Sequence, residues 1–104
     1  MASQSEIQSL ADNIVCEFQP EKIILFGSHA RGDAKPDSDV DLLVIMPPNG
    51  KEHHQQAAEI HFKCHRGFPM DILVRTREEF EERLRMRDWF MRDIAREGKV
   101  LHAS

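Results

Sequence analysis

The chain has 104 residues and a formal net charge of −4, which allows one domain with a modest core and leaves no room for a second. Hydrophobic residues make up 40% and charged residues 31% of the chain, a balance typical of a globular domain rather than a disordered one. The acidic charge argues against a protein that simply coats nucleic acid, because such proteins are more often basic.

No apolar run approaches the roughly 20 residues that span a bilayer. The first residues are polar and lack the basic and apolar regions of a secretory signal. We therefore expect a cytoplasmic protein with no membrane partner. The two cysteines, Cys16 and Cys64, fall within predicted helices, and we expect reduced, buried thiols there rather than a disulfide.

Hydrophobic periodicity predicts helices and strands that alternate along the chain. The predicted helices are 5–18, 51–66, 76–84 and 86–97, and the predicted strands are 23–26, 39–46, 68–74 and 99–102. Ser5 with Gln8, and Thr76 with Glu79, have the form of capping boxes that begin helices. Residues 1–104 therefore predict one α/β domain, a small mixed β-sheet flanked by helices.

The first strand ends in a polar loop that has the properties of a phosphate site. Residues 23–26 are apolar and predict a buried strand. Gly27 permits a sharp turn and the close approach of a bulky ligand. Ser28 begins a short helical turn whose unpaired N–H groups favour an anion, and its hydroxyl can donate one more hydrogen bond. Arg31 could neutralise phosphate charge or pair with a nearby carboxylate.

Two aspartates open the second predicted strand, and a third interrupts the next one. Asp39 and Asp41 are two residues apart, so their side chains leave a strand on the same face. Carboxylate oxygens are the ligands that Mg²⁺ prefers. Asp71 lies in an otherwise apolar stretch, where a charge is seldom buried unless it is paired or binds a metal. The simpler alternative is that all three aspartates face water at a strand end.

Two further groups of residues invite a functional interpretation. His61, Cys64 and His65 are spaced as zinc ligands on a helix would be, but no fourth ligand has a matching spacing, and we expect packing and solvent contact there. Arginines recur in the last two predicted helices, at Arg83, Arg85, Arg87, Arg92 and Arg96. Acidic residues are interleaved with them, which predicts a solvated face with salt bridges, although RNA or an acidic partner could also bind there. Trp89, Phe90 and Ile94 are expected to mark the buried side of the last helix.

The loop and the paired aspartates together carry a resemblance to a known family. The segments Gly27–Gly32 and Ser38–Leu42 resemble the signature of the nucleotidyltransferase superfamily that includes DNA polymerase beta, and in particular its smallest branch, the minimal nucleotidyltransferases. The resemblance implies a minimal nucleotidyltransferase fold that binds ATP and two Mg²⁺ ions. It implies that the catalytic metal ligands are Asp39, Asp41 and Asp71, and that the nucleotide contacts are Gly27, Ser28 and Arg31.

The same resemblance implies a reaction and a partner. Members of the branch transfer AMP from ATP to a protein hydroxyl, a tyrosine of a partner HEPN-domain toxin, and so act as type VII-like antitoxins. Three alternatives stay open: a non-catalytic antitoxin that works by binding, a nucleotidyltransferase for an aminoglycoside-like small molecule, and a nucleic-acid-binding module. We do not expect nucleic acid as a direct substrate. The chain has no room for an acceptor-binding domain, so a partner or a second copy in a homo-oligomer must supply that surface.

Overall fold

A four-stranded mixed sheet forms the centre of the computed structural model, which describes all residues from 1 to 104. The elements, in chain order, are α1 (Gln4–Phe18), β1 (Lys22–Phe26), α2 (Ser28–Arg31), β2 (Val40–Ile45), α3 (His53–Lys63), β3 (Met70–Arg75), α4 (Arg77–Arg85), α5 (Trp89–Glu97) and β4 (Lys99–Ala103). The strand order is β3-β2-β1-β4; β2 is parallel to β3, and β1 is antiparallel to β2 and to β4. The predicted α/β class and mixed sheet are confirmed.

Helices α1 and α3 cover one face of the sheet, which we call the first face. Alternate side chains of the strands point to it, among them Leu25 of β1, Leu42 of β2 and Ile72 of β3. They pack against the apolar stripe of α1, including the fully buried Leu10, and against Ile60 of α3. Fully burying a side chain of this size contributes about 1.5–3 kcal/mol, so this larger cluster supplies most of the hydrophobic stabilisation.

Helices α4 and α5 cover the opposite side, the second face. The strand residues that point to it are Ile24, Phe26, Leu43 and Ile45, and they form a smaller core with Met91 and Ile94 of α5. β2 is therefore buried on both faces from Leu42 onward, as its continuous apolar sequence predicts. The end of helix α5 lies close to β1. A Cβ at Gly98, the residue that follows the helix, would collide with a side-chain methyl of Ile24.

The structure corrects two local predictions near the start of the chain. The capping box of α1 is formed by Ser3 and Glu6, two residues before the predicted pair of Ser5 and Gln8. Several polar residues in this stretch can serve as caps, and the position of the apolar stripe selects Ser3. Cys64 is buried as expected, but Cys16 is exposed because it lies on the outer side of α1.

The prediction for the buried side of α5 is wrong in part. Ile94 is buried, but Trp89 is 84% exposed and Phe90 is 50% exposed, and Met91 takes the inner position instead. Arg87 adopts a left-handed backbone conformation, with φ of 60°, just before the helix begins. This turn sets the rotation of α5 so that Met91 and Ile94, three residues apart, face the sheet.

An ion pair connects the second-face helices to α3. The predicted capping box of Thr76 and Glu79 is present at the start of α4. His53 Nε2 lies 2.8 Å from Glu79 Oε1, and the hydrogen bond from His53, with that from the Thr76 backbone, lowers the pKa of Glu79 to about 2. None of the helices has both the length and the apolar character needed to cross a membrane.

The Glu79→Gln variant separates the charge of this pair from the cap, because glutamine retains the reciprocal hydrogen bond. A lowered carboxyl pKa contributes stability above the ordinary value of 4.5, and that contribution is lost as the pH falls toward about 2. At pH 6 the variant should be less stable by no more than about 1 kcal/mol, because the pair is partly exposed. In urea denaturation, the difference in unfolding free energy between the wild type and Glu79→Gln should narrow below pH 4.5. A difference that does not change with pH, or an equal loss of stability in the exposed Glu78→Gln control, would contradict this interpretation.

Candidate active site

The parallel pairing of β2 with β3 brings two of the predicted site aspartates together. Asp41 and Asp71 are direct Cα partners in that pairing, and neighbouring strands lie about 4.8 Å apart. Both residues alternate with core residues of the first face, so both side chains leave the sheet on the second face. Asp39 lies just before β2 and two residues from Asp41, on the same side. The three carboxylates are therefore neighbours at one edge of the second face.

Gly27 lies against this group of carboxylates. It follows β1, and its predecessor Phe26 is the antiparallel Cα partner of Asp41. Its backbone has φ of 75° and ψ of −155°, a region that is almost confined to glycine. A Cβ at this position would collide with Oδ2 of Asp41. The bend after β1 thus requires glycine for its conformation and for its contact with Asp41.

Helix α2 holds the polar loop next to the aspartates. The Gly27 carbonyl accepts hydrogen bonds from the amides of Ala30 and Arg31, each at 3.1 Å. Ser28, at the start of the helix, is half-buried. His29 Nε2 lies 3.4 Å from the carbonyl oxygen of Ser38, just before the first aspartate. The loop after β1 and the loop before β2 are therefore linked.

Arg31 pairs with a nearby carboxylate, which is one of the two roles that the sequence left open. Its Nε lies 3.4 Å from Oδ2 of Asp33, and both side chains are exposed. An exposed pair of this kind contributes at most about 1 kcal/mol to stability. Its charge also lowers the pKa of Asp41, as the last of the effects on that carboxyl. Arg31 therefore lies near enough to the aspartates to offset some of their negative charge.

The neighbouring carboxylates oppose the ionisation of Asp41. Partial burial raises the pKa of Asp41 above its ordinary value, and the charges of Asp71 and then Asp39 raise it further. His29 and Arg31 act in the opposite direction and do not cancel these effects. Three acidic groups collected in this way are unfavourable by themselves and favour a bound cation.

No metal cage is already formed in the chain. The structure contains no group of three or more His, Cys, Asp or Glu side chains arranged to hold a metal ion. The repulsion among the aspartates opposes such convergence. The alternative zinc cluster is not assembled either, because Cys64 is buried in the core of the first face, while His61 and His65 are exposed with ring centroids 5.8 Å apart.

The structure adds one neighbour that the sequence did not indicate. The ring of Phe90 packs edge-on against Phe26, with centroids 5.6 Å apart and an interplanar angle of 84°. Phe26 is the strand partner of Asp41, so an exposed aromatic residue of α5 borders the carboxylates. The signal in the sequence was the apolar pair Trp89-Phe90, which we assigned to the core.

Comparisons with known proteins agree on one family. The model of the family described as "Nucleotidyltransferase domain" matches residues 9–102. The chain is 32% identical, over 83 residues, to the "Putative protein adenylyltransferase MJ0604" of Methanocaldococcus jannaschii, covering 79% of this chain and 78% of that protein.

Two solved structures share the fold. A toxin-antitoxin with AMP-PNP superimposes with a TM-score of 0.61 and 16% identity, over 93% of this chain and 73% of the other. A mutant of the toxin-antitoxin MntA-HpeT gives a TM-score of 0.58 and 17% identity, over 99% of this chain and 75% of the other. At these identities, the likeness to both structures is a likeness of fold.

Gly27→Ala should destabilise the protein, because the left-handed conformation and the collision with Asp41 both penalise a Cβ. Backbone strain of this kind costs about 1–3 kcal/mol. Gly67→Ala is the matched control, since a Cβ at Gly67 would meet nothing within 4 Å. Thermal denaturation followed by circular dichroism compares the two; equal melting temperatures would contradict the close approach of Gly27 to Asp41.

Asp41→Asn should stabilise the protein at pH 7, because it removes a charge whose ionisation burial and two aspartates oppose. Because the pKa of Asp41 is raised in the folded state, the wild type loses stability as the pH rises through that pKa. The stability advantage of Asp41→Asn over the wild type should therefore shrink as the pH falls toward 3.8. An increase of several degrees in Tm is expected, since about 1 kcal/mol corresponds to roughly 4–8 °C in a domain of this size. The exposed Asp37→Asn control should leave Tm unchanged; a lower Tm for Asp41→Asn would show that the carboxylate is stabilising.

Proposed function

The chain belongs to the nucleotidyltransferase domain family and is a nucleotidyltransferase, and from that premise we propose that it transfers AMP from ATP to a hydroxyl group on a partner protein. The observation that carries the proposal is the register that sets Asp41 beside Asp71, with the Gly27 backbone against Asp41. That arrangement brings carboxylates, a glycine bend and the polar loop of α2 together at one edge of the sheet. The sequence relative described as a protein adenylyltransferase supports the choice of AMP and of a protein acceptor.

Asp39 and Asp41 are proposed to hold the Mg²⁺ that accompanies the triphosphate, and Asp71 to share a second Mg²⁺ with Asp41. The oxygen-only donor set and the mutual repulsion of the carboxylates fit a divalent cation. When bound, the metal ions neutralise the charge that develops on the phosphates. Gly27 keeps the backbone free of a side chain where it lies against Asp41. The Ser28 hydroxyl is proposed to donate a hydrogen bond to the phosphates, and Arg31 to offset their charge.

The reaction needs no covalent intermediate on the enzyme. The acceptor oxygen attacks the α-phosphorus of ATP, the bond to the bridging oxygen breaks, and pyrophosphate leaves. Asp71 is exposed and can accept the proton of the acceptor hydroxyl, which then passes to water. The products are an O-adenylylated acceptor, pyrophosphate and one proton.

The acceptor is proposed to be a tyrosine of a HEPN-domain toxin, for which this chain is the antitoxin. The shared fold with two toxin-antitoxin structures supports this partner. The chain contains no tyrosine, so a tyrosine acceptor lies outside these residues.

The proposal is tested by incubating the full chain with ATP, Mg²⁺ and the product of the neighbouring gene, which is expected to be a HEPN-domain protein, followed by intact-mass measurement of that product. The expected result is a mass gain in whole units of AMP that EDTA abolishes. Asp39→Asn and Asp41→Asn should each reduce transfer by at least about 100-fold, because each removes a proposed metal ligand. Asp37→Asn, in the exposed loop before β2, should retain wild-type transfer.

Three results would contradict the proposal. Neutralisation of the toxin by Asp41→Asn with no mass gain would establish an antitoxin that acts by binding alone. Transfer of AMP to an aminoglycoside in place of the protein would identify a small-molecule enzyme. Wild-type transfer by both aspartate variants would remove Asp39 and Asp41 from the reaction.

A further inference from the structure

Exposed apolar side chains are concentrated at the turn between α4 and α5. Met86 is 63% exposed, Trp89 84% and Phe90 50%. Three of the six large hydrophobic residues that are exposed in the whole chain thus lie within five consecutive positions. A single exposed apolar residue is ordinary, but a contiguous group marks a surface that binds something.

Arginines without ion-pair partners surround these apolar residues. Arg83 lies 3.9 Å from Asp88 and Arg96 lies 2.8 Å from Asp93, as the predicted salt-bridged face requires. Arg85, Arg87 and Arg92 are exposed and take part in none of the ion pairs of the chain. Residues 85–92 contain three arginines and one aspartate, so the turn carries a local positive charge in a chain of net charge −4.

The turn is held in a fixed shape. The Arg87 amide donates to the Leu84 carbonyl at 3.2 Å, and the Asp88 amide donates to the Arg83 carbonyl at 3.0 Å. The Asp88 side chain accepts from the Met91 amide and so caps α5. These bonds stabilise the left-handed conformation of Arg87. A surface fixed in this way loses little conformational entropy on binding.

This surface is continuous with the candidate active site. Phe90 packs against Phe26, and Phe26 is the strand partner of Asp41. The carboxylates of Asp41 and Asp71 leave the sheet on the second face, which is the face that α4 and α5 cover. A molecule bound at the turn would therefore extend beside the site of transfer.

We propose that this turn is the docking surface for the acceptor protein, and that it binds a segment in which carboxylates flank an apolar side chain. We call it the docking turn: Met86, Trp89 and Phe90 with Arg85, Arg87 and Arg92. The free arginines match carboxylates in charge and can bind them in pairs of hydrogen bonds. Trp, Phe, Met and Arg are also the residues enriched in the energetic centres of protein interfaces.

A protein segment fits this surface better than RNA does. The three aspartates on the same face and the net charge of −4 would repel a polyphosphate chain that runs toward the site. A short acidic segment contacts the arginines without carrying its own charge to the carboxylates. The inference rests on the proposed function, because it names how that acceptor is held.

Direct binding of the HEPN-domain protein, measured by calorimetry without ATP, tests the docking turn separately from catalysis. Trp89→Ala should weaken binding at least tenfold, as the loss of an interface hot spot does. Arg92→Glu should weaken it tenfold or more and should reduce the salt dependence. The matched controls are Phe62→Ala, since Phe62 is 86% exposed, and Lys63→Glu; both lie on α3 and should bind as the wild type does.

The affinity for AMP-PNP with Mg²⁺ should be the same in Trp89→Ala as in the wild type. Loss of AMP-PNP affinity would instead assign the aromatic residues to the nucleobase and would overturn the proposal. Binding of a single-stranded RNA that Arg92→Glu abolishes would overturn it in favour of an RNA surface. Unchanged partner binding by Trp89→Ala, or no binding by the wild type, would also overturn it.

The calorimetric result is distinguishable from failure of the proposed function. If the wild type binds the partner, Trp89→Ala does not, and no AMP is transferred, then the docking turn stands and the proposed reaction fails. If AMP is transferred and Trp89→Ala has the wild-type KM for the partner, then the reaction stands and the docking turn fails.

Discussion

The parallel register of β2 and β3 is the constraint on which the site depends. It sets Asp41 directly opposite Asp71, although their like charges raise the pKa of Asp41 and oppose this arrangement. The strands are held in this register by the apolar residues that follow, since a slip of one residue would move Leu42 and Leu43 to the wrong faces. Core packing therefore maintains a group of charges that would separate in isolation, and we propose that a bound cation offsets their repulsion.

The two faces of the sheet have different tasks. The first face, with α1 and α3, contains the larger core, and of the candidate site only α2 packs against it, through Ala30. The second face has a smaller core, and its outer edge carries the carboxylates, the Phe26–Phe90 contact and the exposed turn after α4. A domain of 104 residues can thus use one face for stability and leave the other for substrates. The core of the second face can be small because β2 is also held by the larger core of the first face.

The sequence was sufficient for the fold class and for assigning the candidate site residues to their strands and loops, because these depend on local chemistry. The apolar run of β2 and the Gly27-Ser28 bend each indicate their structure from a few neighbouring residues. Features that depend on helix rotation were less predictable. Met91 and Trp89 are both apolar, and only the turn at Arg87 and the packing of Ile94 decide which of them faces the sheet. The direct pairing of Asp41 with Asp71 depends on the order of the strands in the sheet, which no local sequence pattern specifies.

The central claim is that Asp39, Asp41 and Asp71 together bind the divalent cations of a nucleoside triphosphate. A crystal structure of the chain grown with AMP-PNP and Mn²⁺ tests it most directly, since anomalous scattering locates the metal independently of the protein. An anomalous peak is expected with carboxylate oxygens of Asp39 and Asp41 at roughly 2.1 Å, the octahedral distance of Mg²⁺ that Mn²⁺ approximates. A bound nucleotide whose Mn²⁺ contacts none of the three aspartates would contradict it.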